Sequence, residues 1–459
     1  MRDWTGVRVV IVGAARQGTA LARYLAAHGA EVTLNDSRPP SSLVEAREKL
    51  AGMPVGWVLG EHPVRLLDGA DLVCLSGGVP LDLPLIVEAR QRGIELSNDS
   101  QIFLEATPCL TIGITGSAGK TTTTTMVGRI LETGDRKAWV GGNIGNPLID
   151  VLDEIAADDL AVIELSSFQL DQVRTSPQIA AVLNLTPNHL DRHGTMEAYT
   201  AAKANILKYQ TETDTAVLGR DDPGALALAA RVRGVLATFG LAPPDRSPFP
   251  GLDVHVQDDV VVLQRETGRT TVMPLDEVEL RGAHNLRNAL AACAIAAAAG
   301  AGPEQMRAGI RGFRGIEHRL EFVRTWGGAD WYNDSIATAP ERAMAALRSF
   351  DAPVVLLAGG RDKDLPWEAF AELAAERVTH LVTFGETAEM FAGLVRAAAA
   401  DRPATISSHR HLVDAVAAAA GVVSPGDVVL LSPGGTSFDE FADFAERGEC
   451  FKRWVSELL

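Results

Sequence analysis

The chain has 459 residues, which is too long for one hydrophobic core and predicts two to four domains. Its 42 basic and 59 acidic side chains give a net charge of −17, which argues against general nucleic-acid binding because that needs a broad positive surface. The four cysteines form no CxxC pair and the N-terminal MRDWTG has no apolar signal core, so we expect buried thiols in a cytoplasmic protein. The most apolar run, 289–301, is too short and too rich in alanine to span a bilayer, and it predicts a buried helix.

The N-terminal part alternates apolar strands with helices, which predicts a parallel sheet covered by helices. The strands are VRVVIVG, EVTLND and DLVCLSGG, and GTALARYLAAHG is a helix. After the first strand, GAARQG (13–18) approaches the dinucleotide fingerprint G-x-G-x-x-G, but Ala15 replaces the middle glycine that lets pyrophosphate approach the backbone. Asp36, at the end of the second strand, is placed to accept a hydrogen bond from a ribose-like hydroxyl. We therefore favour a nucleotide-like ligand that binds differently from NAD.

A second unit begins at CLTIGITGSAGKTTTTTMVGRILE, which reads as strand, glycine-rich loop and helix. Gly119, Lys120 and Thr121 fit the end of the phosphate-loop pattern G-x-x-x-x-G-K-[ST], whereas Ile114 occupies the place of the first glycine. The N–H groups and helix dipole of such a turn attract phosphate, Lys120 would reach terminal phosphate oxygens, and the Thr121 hydroxyl would bind Mg²⁺. A plain helix-capping turn is the alternative, but the flanking strand and helix favour phosphate binding.

Two further strands of this unit end in polar side chains. AVIELSSFQL places Glu164 at a strand end, where open α/β sheets bind ligands, and a buried acid there needs a partner or a metal ion. A partly exposed glutamate is the alternative. NLTPNHLDRH places His189, Asp191 and His193 after the next strand, which favours a second metal or phosphate contact over an ordinary surface histidine.

A third unit begins near Arg314, where four segments each read as strand followed by turn: DWYNDS, APVVLLAGG, HLVTFG and DVVLLSPGG. Three sheets imply three domains, and we expect them to span 1–97, 98–313 and 314–459. All three are expected to be of the α/β class.

Characteristic segments lie along nearly the whole chain: TGSAGKT (115–121), GGNIGNP, ELSSFQL, HLDRH, YTAAKANI, GAHNLRNALAA, the HR of GIEHRLE, NDSIAT, GGRDKD and LLSPGGTSFDEFADFAERG. In these segments and in their order, the chain resembles the Mur ligase family, ATP-dependent amino-acid ligases of peptidoglycan synthesis. The loop of that family is close to TG-x-x-GKT, so Ile114 is typical of the family. Within the family, the segments most specifically resemble those of the members that join D-glutamate to UDP-N-acetylmuramoyl-L-alanine.

The resemblance implies an N-terminal Rossmann-like domain for UDP, a central P-loop ATPase-type domain and a C-terminal Rossmann-like domain for the amino acid. The ATP contacts that it implies are Gly116, Ser117, Ala118, Gly119, Lys120, Thr121, Thr122, Asn285, Arg319 and Asp334. One Mg²⁺ is expected on Thr121 and Glu164 and a second on His189, with Lys203 carbamylated by CO₂. A bare ammonium beside two Mg²⁺ ions would be repelled, whereas a carbamate can hold a metal. Without the resemblance, Lys203 would be interpreted as an exposed helix lysine.

The resemblance also implies both remaining substrate sites. The contacts to the UDP substrate would be Arg16, Gln17, Asp36, Ser37, Arg38, Ser76, Gly77, Gly78, Asn143 and His189. D-Glutamate would be surrounded by Thr338, Lys363, Ser437 and Phe444, and a cationic lysine suits an anionic amino acid. NDSIAT departs from the family in having Ile336 where many relatives carry lysine. The change removes a cation expected near the reacting carboxylates, and the lost interaction would cost about 1–3 kcal/mol unless it is compensated. Either another basic residue replaces that lysine, or the amino-acid pocket is arranged differently.

The implied enzyme is an ATP-dependent acid–D-amino-acid ligase that works through an acyl phosphate, with Lys120, His189 and Lys203 as catalytic residues. His189 or a water is the candidate base for the amine. We expect a cytoplasmic monomer without nucleic-acid or membrane partners. The alternatives are another Mur-type or folylpolyglutamate-type amide ligase, a P-loop small-molecule kinase, or a nucleotide-binding regulator without enzymatic activity.

Overall fold

The structure, a computed structural model, describes six stretches of the chain: 2–188, 190–244, 251–280, 282–363, 365–398 and 403–458. It forms two compact units, Met1–Phe313 and Arg314–Leu459. No helix in these stretches is long and apolar enough to cross a membrane. The domain boundaries predicted from the sequence stay predictions.

The first sheet contains five parallel strands in the order β3-β2-β1-β4-β5. Its strands are β1 (Arg8–Val12), β2 (Glu31–Asp36), β3 (Val55–Leu59), β4 (Leu72–Leu75) and β5 (Glu95–Ser97). Its helices are α1 (Arg16–Ala27), α2 (Val44–Lys49), α3 (Pro84–Gln91) and α4 (Asp99–Ala106), with 3₁₀ turns at Pro40–Ser42 and Val64–Leu67. Strand β1 is buried on both faces, as parallel sheets require. The predicted parallel sheet is confirmed, and its order is that of a Rossmann-like fold.

The second sheet contains nine strands in the order β14-β13-β12-β11-β10-β9-β6-β8-β7. Its strands are β6 (Leu110–Thr115), β7 (Ala138–Gly142), β8 (Leu160–Glu164), β9 (Ile179–Val182), β10 (Thr215–Gly219), β11 (Val235–Gly240), β12 (Gly251–Gln257), β13 (Val260–Arg265) and β14 (Gly268–Pro274). Its helices are α5 (Lys120–Glu132), α6 (Ser167–Leu170), α7 (Leu190–His193), α8 (Met196–Lys208), α9 (Pro223–Ala227), α10 (Ala283–Ala298) and α11 (Pro303–Ile310), with 3₁₀ turns at Leu148–Glu154, Leu228–Arg231 and Leu275–Glu277. Among the described residues, the β12/β13 and β13/β14 pairs are antiparallel and the other pairs of this sheet are parallel.

The order of this sheet decides where polar side chains meet. Strand β6 lies between β8 and β9, and all three are parallel. Their carboxyl ends therefore share one edge, where β6 leads into the glycine-rich loop and β8 ends at Glu164. The apolar run that predicted a buried helix lies in α10, whose residues Ala289 to Ala297 are all buried.

The second unit contains the third sheet, in the order β15-β16-β20-β17-β18-β19; in its described part β15 pairs antiparallel with β16 and the other pairs are parallel. Its strands are β15 (Glu321–Trp326), β16 (Ala329–Asn333), β17 (Val354–Gly359), β18 (Val378–Phe384), β19 (Thr405–His409) and β20 (Val428–Gly434). Its helices are α12 (Pro340–Leu347), α13 (Glu368–Arg377), α14 (Ala388–Ala398), α15 (Leu412–Ala420) and α16 (Phe444–Glu457). Alternate residues of β17 join separate apolar clusters, Leu356 with α12 to α14 and Leu357 with α15 and α16, so helices cover both faces.

Close packing of α11 against α5 generates a stability prediction. A Cβ on Gly309 would lie 2.5 Å from the Ile130 Cα, so an alanine there must move one helix backbone away from the other. We expect Gly309→Ala to lower the free energy of unfolding by about 1–3 kcal/mol, because overpacking outweighs the gain in helix propensity. The measurement is urea unfolding followed by circular dichroism.

The matched control is Gly393→Ala in α14, where a Cβ would meet no atom within 4 Å. The same substitution should there be neutral or raise the free energy of unfolding by about 0.5–1 kcal/mol. Equal effects of the two substitutions would contradict the packing argument.

Candidate active site

The glycine-rich loop begins later than the standard phosphate-loop pattern places it. Ile114 is an interior residue of β6, fully buried and paired with Glu164 and Ala181. Gly113 is a packing glycine, since a Cβ there would lie 2.4 Å from Pro177. The absence of glycine at position 114 therefore follows from its place inside the strand.

Gly119 fixes the geometry at the start of α5. Its φ is +81° and it is the N-cap residue, while a Cβ there would lie 2.2 Å from the Asn288 Oδ1. Only glycine meets both conditions. The first residues of the helix, Lys120 and Thr121, thus follow a turn whose N–H groups and dipole favour an anion.

The loop is held by side chains from the segment after β9 and from α8. Asn184 accepts from the Ala118 N–H at 2.8 Å and donates to the Ala118 carbonyl at 3.1 Å. Tyr199 donates to the Ser117 hydroxyl at 2.9 Å, and that hydroxyl donates to the Thr186 carbonyl at 2.9 Å. Sequence reasoning did not identify Asn184, Thr186 and Tyr199 as parts of the site, although NLTPNH and YTAAKANI contain them.

Glu164 is only 1% exposed, so the alternative of a partly exposed strand-end glutamate is wrong. Its Oε1 accepts a 2.9 Å hydrogen bond from the Asn143 side chain. Its Oε2 is buried and has no hydrogen-bond partner within the described part of the chain. A buried carboxylate oxygen without a donor is costly, and an oxygen-preferring divalent cation would satisfy it. The site therefore fits Mg²⁺ at Glu164.

Lys203 is 2% exposed in α8, so the alternative of an exposed helix lysine is also wrong. Its Nζ donates to the Gly116 carbonyl at 2.9 Å and to the Thr115 hydroxyl at 3.3 Å. Lys120 donates to the same Gly116 carbonyl at 3.0 Å. Burial, and then the charge of Lys120, lower the pKa of Lys203 to about 6 against the opposing effect of Glu164.

The histidine segment after β9 is described only in part. His189 lies outside the described residues, and so does the side chain of Asp191. His193 lies 3.0 Å from the Ser167 hydroxyl and stacks on the Phe168 ring at 5.2 Å, so it is engaged with α6. The described residues contain no group of three or more His, Cys, Asp or Glu that could hold a metal ion.

Most residues predicted to bind the UDP substrate follow the carboxyl ends of β1, β2 and β4, whereas Asn143 follows β7 and His189 lies outside the described residues. Asp36 accepts from the Ala14 N–H at 2.8 Å and from Arg38 at 2.9 and 2.8 Å. Burial opposes the ionisation of Asp36, but these hydrogen bonds prevail and its pKa is lowered to about 2. Ser76 donates to the Gly13 carbonyl at 2.8 Å, and the described residues offer no hydrogen-bond partner to the buried Nε2 of Gln17.

Two arginine side chains link the turns after β1 and β4 to residues of the second sheet, all within the first unit. Arg16 donates to the Asn143 carbonyl at 3.1 Å, and the Asn143 side chain in turn donates to Glu164. Arg192 donates to the Gly78 and Val79 carbonyls at 3.4 and 3.2 Å. Arg16, a predicted UDP contact after β1, is thus linked through Asn143 to the predicted metal ligand Glu164.

The residues predicted to bind D-glutamate follow the parallel strands of the second unit. Lys363 donates to the Thr338 hydroxyl at 3.5 Å. Ser437 follows β20, and Phe444 begins α16. The second unit also contains Arg447, which is fully buried and donates to Ser335 and to the Gly435 carbonyl. Sequence reasoning missed Arg447, since nothing in FAERGECF shows that it is buried.

Of the nucleotide contacts predicted outside the glycine-rich loop, Asn285 belongs to the first unit and Arg319 to the second. Asn285 is in α10, where its Oδ1 accepts from Asn288 at 3.4 Å. Arg319 lies between two residues with left-handed backbone, His318 at φ 62° and Leu320 at φ 43°. The roles of all these residues stay predictions.

Asp334, the remaining predicted nucleotide contact, is 4% exposed, and its Oδ2 accepts from the Ser432 hydroxyl at 2.8 Å. Burial raises its pKa from 3.8 to about 7. The folded state therefore binds a proton that the unfolded state has lost, and this carboxyl group lowers stability as pH rises from about 4 to about 7. We expect Asp334→Asn to raise the local free energy of opening at pH 8 by about 1–3 kcal/mol and to flatten this pH dependence.

Hydrogen exchange of the β16 and β20 amides in the full chain measures this effect. The exposed Asp351 provides the control, since Asp351→Asn should change neither value. A lower free energy of opening in Asp334→Asn at pH 8 would contradict the prediction.

Three family models match successive parts of the chain. The model for the N-terminal domain of MurD-like Mur ligases matches residues 7–98, and the Mur ligase middle-domain model matches 114–296. The Mur ligase glutamate ligase domain matches 318–435. Each of the three sheets thus lies largely within one match.

Curated relatives match along the whole chain, and each is called UDP-N-acetylmuramoylalanine--D-glutamate ligase. The protein of Symbiobacterium thermophilum is 43% identical over 452 residues, which cover 98% of both chains. That of Pelotomaculum thermopropionicum is 39% identical over 459 residues, covering 100% of this chain and 99% of its own. That of Koribacter versatilis is 38% identical over 457 residues, covering 99% and 98%.

Solved structures share the fold at low identity. A murein peptide ligase from Psychrobacter arcticus superimposes with a TM-score of 0.52 at 17% identity, covering 99% of this chain and 100% of its own. The UDP-N-acetylmuramate-alanine ligase MurC of Thermotoga maritima gives 0.51 at 18%, covering 98% and 100%. With relatives of 38–43% identity along its full length, the chain belongs to the Mur ligase family.

Proposed function

We propose that the protein joins D-glutamate to UDP-N-acetylmuramoyl-L-alanine at the expense of ATP, a step of peptidoglycan synthesis. The observation that carries the proposal is the meeting of Lys120, Lys203 and the unpartnered Glu164 oxygen beside one glycine-rich loop. Full-length relatives whose name states this ligation support the choice of substrates. The monomeric state and the cytoplasmic location expected from the sequence stay predictions.

The proposed reaction has two steps, phosphoryl transfer and amide formation. The L-alanine carboxylate oxygen attacks the γ-phosphorus of ATP, so that ADP leaves and an acyl phosphate forms. The D-glutamate amine then attacks the carbonyl carbon, loses a proton, and displaces phosphate to form the amide. Lys120 would neutralise phosphoryl charge and the N–H groups of the loop would orient the phosphates, since such catalysis rests on positioning and electrostatics.

The residues present fit the metal that the family uses. Glu164 and Thr121 would hold Mg²⁺, with Lys203 as its carbamate, and His189 would hold a second ion. When bound, Mg²⁺ supplies charge neutralisation at the phosphoryl oxygens. Asn143 keeps the Glu164 carboxylate oriented by donating to its Oε1.

The carbamate on Lys203 is supported by its surroundings. The amine is almost fully buried, next to the cation Lys120 and in the same cluster as Glu164, and burial disfavours its ammonium form. The neutral nitrogen would add to the carbon of CO₂, and loss of the proton would leave an anion in place of a buried cation. This anion would complete the oxygen ligands beside Glu164.

The ligase proposal is tested by substrate choice. We expect phosphate release and amide formation, followed by mass spectrometry, with ATP, Mg²⁺, the UDP-muramoyl-alanine acceptor and D-glutamate, and no amide with L-glutamate. Lys120→Ala should lower kcat by about 100-fold or more, because it removes charge stabilisation at the transferred phosphoryl group. Turnover with a folate acceptor alone would indicate a folylpolyglutamate-type ligase, and a stable phosphorylated product without amide would indicate a kinase.

The carbamate is tested separately with ¹³C-labelled bicarbonate. We expect a carbamate ¹³C resonance in the wild type that is absent from Lys203→Arg, together with a loss of about 100-fold or more in kcat. Lys208→Arg, an exposed lysine on the same helix, is the matched control and should keep both the signal and the activity. An active Lys203→Arg variant would contradict the assignment.

A further inference from the structure

Arg192 holds two neighbouring backbone carbonyls with the planar fork of its guanidinium. Its Nη1 donates to the Gly78 carbonyl at 3.4 Å, and its Nη2 donates to the Val79 carbonyl at 3.2 Å. Both carbonyls belong to the turn after β4, and Gly78 is one of the predicted contacts to the UDP substrate. Arginine suits such a pair of acceptors, because its donors lie in one rigid plane.

The same guanidinium lies over an aromatic ring of α6. Its Cζ is 4.9 Å from the centre of the Phe168 ring, and His193 stacks on that ring at 5.2 Å. The Nε2 of His193 lies 3.0 Å from the hydroxyl of Ser167, the residue at which α6 begins. This helix directly follows the strand that ends at Glu164. Arg192 therefore joins the turn after β4 to the segment that follows the predicted metal ligand.

Helix α6 is a firm support for this link. It begins with a capping box, in which the side chains of Ser166 and Gln169 each bond to the backbone of the other. The Gln169 side chain also donates to the Ser100 hydroxyl at 2.8 Å, and the Gln169 carbonyl accepts from Asn98 at 2.8 Å. A shift of α6 would break these bonds, so the Phe168 ring is a fixed surface for the guanidinium.

The proposed reaction makes the distance between the two ends of this link important. The UDP-linked acceptor would be held at its nucleotide end by the turns after β1 and β4, whereas its carboxylate must meet the phosphoryl group near Lys120 and Glu164. A misplacement of about 1 Å at the reacting atoms can lower a rate by about 100-fold. A side chain that sets the spacing of these two regions therefore acts on the chemical step, even without touching the substrate.

We propose that Arg192 is a positioning residue, which holds the turn after β4 at the distance from α6 that brings the acceptor carboxylate to the phosphoryl group. The inference rests on the proposed function. The link sets how far the bound acceptor reaches, and the affinity for its nucleotide end does not depend on it. Phe168 supports Arg192 by fixing the plane of the guanidinium.

Kinetics of Arg192→Met test the proposal, because methionine keeps an apolar stem over the ring and removes every donor. We expect kcat for amide formation to fall roughly tenfold to hundredfold, since the acceptor carboxylate is displaced from the phosphoryl group. The inhibition constant of UDP alone, which would occupy only the nucleotide end, and the KM of ATP should stay within about twofold. Arg233→Met, at an exposed arginine of the same unit, is the matched control and should resemble the wild type.

Two further variants distinguish positioning from a loss of folded protein, and each kcat is divided by the folded fraction measured by circular dichroism. Arg192→Lys can bond to only one of the two carbonyls and should show an intermediate kcat. Phe168→Leu should lower kcat roughly twofold to fivefold, as for the loss of one cation–π contact. Adding it to Arg192→Met should cause little further loss, because both substitutions act through the same guanidinium.

Three results would overturn the proposal. One is an unchanged kcat in Arg192→Met, and another is a fall in activity that only matches a fall in the folded fraction. The third is a loss of UDP affinity as large as the loss of kcat, because Arg192 would then only shape the nucleotide site. A wild type that forms no amide would overturn the proposed function, so an active wild type beside an unaffected Arg192→Met marks the failure of this inference alone.

Discussion

The first unit depends on a buried carboxylate that lacks a donor for one of its oxygens. Glu164 ends a fully buried strand, and its Oε2 finds no hydrogen-bond partner among the residues that the structure describes. Such an oxygen costs about 1–3 kcal/mol in a folded protein, and an anion is costlier still. A bound cation would offset this cost, which makes Glu164 a candidate metal ligand.

The order of the parallel strands places the Glu164 carboxylate beside the glycine-rich loop. Because β6 lies between β8 and β9, the loop after β6, the carboxylate at the end of β8 and the residues after β9 share one edge. Helix α8 then brings Lys203 behind the loop, where its amine bonds to the Gly116 carbonyl. Asn184 and Tyr199 hold the loop from two sides, so that the phosphate-binding groups are preorganised.

Those parts of the fold that are buried on both faces could be predicted from the sequence. Continuous apolar runs such as VVIV in β1 and VVLL in β17 are strands, and the glycine-rich loop and Glu164 lie at strand ends, as their place after such runs predicts. The antiparallel strands β13 and β14 were not predicted, since charged residues interrupt VVVLQRETGRTTV. Arg447 could not be found either, because its burial depends on Ser335, which is 112 residues away in the chain.

Local and overall charge act in opposite directions in this protein. The chain carries −17, yet the three substrates of the proposed reaction, ATP, the UDP-linked acceptor and D-glutamate, are all anions. Within a Debye length of about 8–10 Å the nearest groups decide the potential, so a few cations at the sheet edges outweigh a distant acidic surface. Lys120, and Lys363 near Arg342 and Arg447, are such groups. The same acidic surface would repel polyanions, because a nucleic acid must contact a wide area, whereas a small anion needs only the edge. Selectivity for small anionic substrates therefore follows from where the positive charges lie, and their total number has little influence on it.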